Sequence, residues 1–186
     1  MTDKRWDAFF SDLEGELAAA ESADLRLEVA DRTRREFGSL RLVDRLRPAL
    51  GHPVHFTLSG GHTVAGILSE VGSDWVLIGE TTGSALVPLA QVRLIGGLGA
   101  HSSAPGSEGH VAAALDLRHA LRGLARNRAE VVLTTVDGDR VSGTLDRIGA
   151  DFAEIAQHQP GEPRRRSAVQ QVLTVPIRAI GVVRAG

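Results

Sequence analysis

Apolar residues in the first 38 positions recur at the spacing of an amphipathic helix. Three- and four-residue steps separate the apolar side chains, and most acidic side chains fall on the other face. The apolar face consists mainly of Trp6, Phe9, Phe10, Leu13 and Leu17. We predict one helix from about 3 to 20 and a second from a Ser22 cap to about Phe37, forming a helical hairpin. This N-terminal arm, 1–38, either packs on the rest of the chain or serves as an oligomerisation or partner-docking arm.

Beyond residue 50 the apolar positions alternate, as half-buried strands do, and the same pattern occurs twice. Gly61–Ile78 aligns without a gap on Gly138–Ile155 at an offset of 77, with seven identities in eighteen positions. Leu86–Ile95 aligns on Thr174–Val183 at an offset of 88. The second copy therefore carries about eleven extra residues in the loop between these blocks.

Each copy is predicted to be a short helix followed by a strongly bent antiparallel sheet of about five strands. Gly66 and Gly143 occupy matching positions inside a strand, where glycine is typical of a sharp bend. We expect a first barrel over 39–98, a Gly-, Ser- and Pro-rich linker over 99–110 and a second barrel over 111–186.

The repeated block follows the pattern V-x-G-x-L-x-x-[VI]-G-x-D-[WF]-x-x-I, and a [VL]-V-P-[LI] strand comes later in each copy. This order resembles the Sm-like (LSm and Hfq type) small β-barrel, a spacing that other SH3-like barrels share. The resemblance implies a mostly β fold of two tandem Sm-like or SH3-like barrels. It also implies rings or pseudo-rings built by edge-strand pairing, and binding of single-stranded RNA. The Asn and the Arg-Gly pair typical of Sm and LSm proteins do not occur at the matching positions.

Composition excludes several classes of protein. The chain has no cysteine, which rules out disulfides, thiol nucleophiles and cysteine-bound metals. A charged start and the lack of a long apolar run predict a cytoplasmic chain with no membrane association. The net charge is −2, but residues 1–38 hold ten acidic and six basic residues, whereas 99–186 hold nine and eleven.

The candidate catalytic and metal-binding residues all favour structural roles. His52, His55 and His62 cluster in the first copy, but the second copy lacks them, so we expect surface histidines and no metal site. Asp74 and Asp151 recur in both copies after a Gly-x step, where a carboxylate typically binds backbone amides of the turn. We predict no catalytic residue, no cofactor and no enzyme.

Arginines form the most prominent charged feature of the second copy. Four lie on or just after the predicted helix and three in the long loop. Together they either contact phosphates or form a solvated surface balanced by Asp116, Glu130 and Glu162. The arginines are Arg118, Arg122, Arg126, Arg128, Arg164, Arg165 and Arg166. The chain has no tyrosine and few other aromatics, so few rings are available for bases to stack on.

Two functions remain open from the sequence. The first is a non-enzymatic structural or adaptor protein that assembles through its barrels, as a homo-oligomer or with a protein partner, and docks that partner through its N-terminal helices. The alternative is an RNA-binding regulator that uses the arginine-rich face of the second copy to bind single-stranded RNA.

Overall fold

A computed structural model describes residues 25–26, 28–29, 31–106, 115–159, 161 and 169–186. The chain divides into two compact units, Met1–Leu40 and Arg41–Gly186. In the first unit the described residues up to 38 are helical (α1). The helix predicted over 3–20 lies outside the described residues. No helix in the described part of the chain is long and apolar enough to span a membrane.

The described residues of the second unit form ten strands and two α-helices. The first copy has β1 (Pro53–Leu58), β2 (Thr63–Val71), β3 (Trp75–Glu80), β4 (Gly83–Pro88) and β5 (Val92–Gly96). The second copy has β6 (Glu130–Thr135), β7 (Arg140–Ile148), β8 (Phe152–Gln157), β9 (Gln171–Pro176) and β10 (Ile180–Ala185). Helix α2 (Leu42–Leu46) precedes β1, and helix α3 (Leu117–Arg126) precedes β6. Short 3₁₀ turns occur at Arg47–Ala49, Ser59–Gly61, Leu89–Gln91 and Ile177–Ala179.

The internal repeat predicted from the sequence is confirmed strand by strand. β1, β2 and β3 begin and end 77 residues before β6, β7 and β8, and β4 lies 88 residues before β9. The irregularities of pairing also repeat, because a register shift between Leu68 and Glu70 has its counterpart between Leu145 and Arg147. The two copies therefore have the same local backbone design.

The prediction of two separate tandem barrels is wrong. All ten strands form one continuous antiparallel sheet in the order β5-β1-β2-β3-β4-β10-β6-β7-β8-β9. The copies join where β10 pairs with β4, with Val183 opposite Leu86 and Ala185 opposite Ser84. An unpaired strand edge is open to any complementary strand, and here the last strand of the chain fills the edge of β4. The mostly β content and the helix before each copy agree with the prediction.

Side chains cross this junction in both directions. Val182 of β10 is fully buried in the core of the first copy, among residues such as Phe56 and Leu68. Trp75 and Leu86 of the first copy belong in turn to the core of the second. Neither copy completes its core alone, which fits the marginal burial expected of domains of about 60 residues.

Helix α2 holds the start of the predicted linker. The Arg45 guanidinium donates hydrogen bonds to the carbonyls of Gly99, Ala100 and His101, at 2.7, 3.0 and 2.5 Å respectively. The segment after β5 is therefore tied back to the first copy before it continues toward α3.

Gly66 and Gly143 are the glycines that the bend requires. A Cβ at Gly66 would lie against the Gly79 carbonyl oxygen of the next strand, far inside van der Waals contact. A Cβ at Gly143 would collide with the Ala156 carbonyl oxygen in the same way. Backbone atoms of a paired strand cannot give way as a flexible side chain can, so these positions exclude larger residues.

We expect Gly143→Val to destabilise the protein by about 3 kcal/mol or more, because the new side chain must displace a paired strand. Gly123→Ala in α3 is the control, since a Cβ there meets no atom within 4 Å. That change should raise stability by about 0.5 to 1 kcal/mol through helix propensity. Urea unfolding followed by circular dichroism measures both, and an unaltered midpoint for Gly143→Val would refute the close approach.

Candidate functional site

The start of α3 is held by the turn between β2 and β3 of the first copy. The Asp74 carboxylate accepts a hydrogen bond of 2.7 Å from the Leu117 backbone N–H, the first amide of the helix. The Trp75 indole N–H donates to the Leu115 carbonyl at 2.9 Å, and the Ser73 hydroxyl donates to the same carbonyl at 3.2 Å. The first copy thus fixes where the helix of the second copy begins.

The two repeated aspartates have different roles. We expected both to bind backbone amides of their own turns, but the Asp74 side chain binds a helix amide 43 residues away. The Asp151 side chain makes no hydrogen bond to the described residues, although its backbone carbonyl accepts one from Ile177 at 2.7 Å. Only the first of these positions therefore ties the two copies together.

Asp116, the residue directly before α3, caps the same helix, because its side chain accepts a 2.9 Å hydrogen bond from the His119 amide. Burial raises the pKa of this carboxyl, but the Arg118 and His119 hydrogen bonds and the charges of Arg118 and Arg122 more than offset it. Its pKa therefore lies below the usual 3.8. Since the folded pKa is the lower one, this carboxylate stabilises the fold above the unfolded pKa. That stabilisation disappears as pH falls through the folded value.

An open groove of about 1010 Å³ runs between α3 and strands β7, β8 and β9. Leu117 and Leu121 on the inner side of α3 are buried in the core, which turns the opposite face of the helix outward. Among the described residues, four arginines line this groove, together with the buried Thr144. They are Arg122, Arg126, Arg128 and Arg147, and we call this surface the α3 groove.

The structure brings together only part of the predicted arginine set. Arg122, Arg126 and Arg128 line the groove as exposed side chains. Arg118 does not line it and instead binds the Asp116 carboxylate at 2.6 Å. The three loop arginines, Arg164, Arg165 and Arg166, lie outside the described residues.

Arg147 is a groove residue that the sequence prediction missed. It follows the bulge of β7 and its Nε lies 2.6 Å from the Glu154 carboxylate, so one acidic partner already offsets its charge. Alternation along a strand indicates that the side chain is exposed. Only the placement of α3 across β7 shows that it shares a groove with the helix arginines.

Arg128 has an unusual backbone conformation. Its φ is +51°, and among the described residues no other non-glycine residue has a positive φ. It follows the end of α3, where the Arg128 N–H binds the Ala125 carbonyl and the Ala129 N–H binds the Leu124 carbonyl. This is the Schellman arrangement, whose left-handed residue is usually glycine. An arginine there costs about 1 kcal/mol of backbone strain.

The first-copy histidines do not form a metal site in the part of the chain that the structure describes. No group of three or more metal-binding side chains converges among those residues. The ring of His52 binds the Leu50 carbonyl through Nδ1 at 3.0 Å, which is a local turn contact.

The free edges of the sheet form a second candidate surface. Among the described strands, β5 pairs only with β1 and β9 only with β8. On β5, Leu94 is 69% exposed, whereas Val182, its equivalent 88 residues later, is fully buried in the junction. Thr174 on β9 is exposed, while its equivalent Leu86 is 3% exposed.

No family model, curated protein or solved structure matches this chain. The residues predicted for partner docking, namely Trp6, Phe9, Phe10, Leu13 and Leu17, lie outside the described residues.

We expect Asp74→Ala to lower stability by about 1 to 2 kcal/mol, because the first amide of α3 loses its acceptor and the helix loses a favourable charge at its N-terminus. Asp151→Ala removes the matching carboxylate of the second copy and should change stability by less than about 0.5 kcal/mol. Thermal unfolding of the two variants checks the difference. Equal losses would show that the contact with Leu117 contributes nothing.

Proposed function

We propose that this protein is a non-enzymatic assembly module whose chains join edge to edge through strands β9 and β5. The observation that supports this is the junction inside the chain. Pairing of β4 with β10 joins copy to copy, and the equivalents of these two strands, β9 and β5, are the two strands at the ends of the described sheet. Edge-strand assembly is also what the resemblance to Sm-like proteins implies.

The internal junction supplies the register of the proposed contact. Leu86 lies opposite Val183 and Ala85 opposite Arg184 in the chain. Adding the repeat offset of 88 to the β4 residues gives Thr174 and Leu173 on β9, and subtracting it from the β10 residues gives Ile95 and Gly96 on β5. The proposed contact therefore places Thr174 opposite Ile95 of a second chain, and Leu173 opposite Gly96 of that chain. The β9 edge of one chain and the β5 edge of the next would then pair as β4 pairs with β10.

Burial supports the same arrangement. Leu94 is the most exposed of the large hydrophobic residues described, at 69%, and its equivalent Val182 fills the core of the first copy. In the proposed contact Leu94 enters the corresponding position of a second chain. Burying a side chain of this size contributes about 1.5 to 3 kcal/mol. Leaving it on an unpaired strand edge invites association with other strands.

The other parts of the predicted adaptor role remain predictions. The acidic arm, 1–38, would dock a partner through its aromatic face, and an assembly would present several such arms at once. Several copies held together raise the effective concentration of each binding segment. The RNA-binding alternative also remains a prediction, and the α3 groove is its only described candidate surface.

We expect Leu94→Lys and Thr174→Lys each to abolish assembly, because each places a charge where the junction equivalent is buried. Wild-type protein should show a concentration-dependent mass of two or more chains in sedimentation velocity, and each variant alone should stay a single chain. An equimolar mixture should restore a species of two chains, since one variant keeps an intact β9 edge and the other an intact β5 edge.

Ile67→Lys is the matched control for these variants. Ile67 is also exposed, at 44%, but it lies on β2, which is paired on both sides. This variant should keep the wild-type mass. A wild-type protein that stays a single chain at about 100 μM, or a Leu94→Lys variant with the wild-type mass, would contradict the proposal.

A further inference from the structure

We propose that the α3 groove binds a linear polyanion with closely spaced phosphates, either a single-stranded nucleic acid or inorganic polyphosphate. This inference does not depend on edge-to-edge assembly. The four groove arginines lie on α3, on the turn after it and on β7, and none of them lies on either sheet edge. The first copy contributes by fixing the start of α3 through Asp74.

The spacing of the arginines fits a chain of phosphates. Arg122 and Arg126 are four residues apart on one helix face, a rise of about 6 Å. Arg128 continues this row past the helix end, and Arg147 reaches the groove from the strand beneath. A guanidinium can bind a phosphate with two parallel N–H···O bonds, so each arginine can hold one phosphate in a defined orientation.

The charges of the helix row are largely available to a ligand. Within the described residues, neither the Arg126 nor the Arg128 side chain has a hydrogen bond or an ion pair, and both are exposed. The charge of Arg122 helps to lower the pKa of Asp116, but that carboxylate is already bound by Arg118. Asp146 and Glu154 also line the groove, and Glu154 is bound by Arg147. The row from Arg122 to Arg128 is therefore the place for an anion.

The backbone at Arg128 is an independent reason to assign a ligand. A left-handed position after a helix favours glycine, and the Arg128 side chain is exposed, so the choice of arginine over glycine gains no burial there. Residues with a strained backbone cluster at functional sites. Here the strained position is also one that projects a charge into the groove.

The groove is suited to phosphates rather than to bases. None of the described Phe and Trp residues, namely Phe37, Phe56, Trp75 and Phe152, lines the groove. Base stacking on aromatic rings is the usual source of affinity for the bases of a single strand. We therefore expect binding that depends steeply on salt and little on base sequence.

The test uses the full chain, a fluorescein-labelled 12-nucleotide poly-U RNA and fluorescence anisotropy between 50 and 300 mM salt. Each phosphate contact with a single strand contributes about −0.7 to the slope of log K against log salt, so the three arginines of the row from Arg122 to Arg128 predict a slope of about −2. Arg126→Gln should weaken binding about three- to tenfold and make the slope shallower by about 0.7.

Arg128→Gly separates a binding role from a structural one. This variant should bind RNA about three- to tenfold more weakly while its Tm rises by about 2 °C, because glycine relieves the strain. Arg118→Gln removes the same charge from the same helix but outside the groove, and it should change affinity less than twofold. Equal affinities for the Arg118→Gln and Arg128→Gly variants would overturn the proposal.

Unlabelled inorganic polyphosphate distinguishes the two sources of phosphate. Competition at a similar phosphate concentration assigns the site to the phosphate chain itself. Failure to compete, with RNA binding that still depends on Arg126 and Arg128, assigns it to nucleic acid. No RNA binding at 50 mM salt and 50 μM protein, together with no change in Tm on adding polyphosphate, would overturn the proposal.

Discussion

The pairing of β4 with β10 is the interaction on which the rest of the second unit depends. It joins the last strand of the chain to the fourth strand of the first copy, and the Arg184 guanidinium adds an ion pair of 2.9 Å to Glu80 beside it. Val182 enters the first core through this contact, and Leu86 enters the second. Each copy is thus completed by its neighbour. The outer strands β5 and β9 lack a neighbour of this kind among the described strands, so each keeps an unpaired edge that a further copy would complete.

The same junction determines where α3 lies. Ser73, Asp74 and Trp75 of the first copy hold the start of the helix, and Leu117 and Leu121 anchor it in the second core. Its outward face then forms one wall of the α3 groove. Joining the copies therefore has two results, a sheet with edges to extend and a row of arginines in a fixed position.

Much of the local structure could be predicted from the sequence, and little of the long-range structure. Matched glycines such as Gly66 and Gly143 revealed the repeat, because close backbone approach tolerates no other residue. Strand neighbours between copies were not predictable, since main-chain hydrogen bonds carry no sequence signal and alternation indicates only a face. The contact of Asp74 with Leu117 and the place of Arg147 in the groove depend on that long-range arrangement, so both were missed.

Hydrogen–deuterium exchange of the full chain across a range of concentrations tests the equivalence of the inner junction and the outer edges most directly. If β9 pairs with β5 of another chain, the amides of Val92–Gly96 and of residues 171–175 that face away from β1 and β8 should become more protected as concentration rises. Amides of β4 and β10 should be protected at every concentration, because their pairing lies within the chain. Fast exchange of these outward-facing amides at all concentrations would contradict the account.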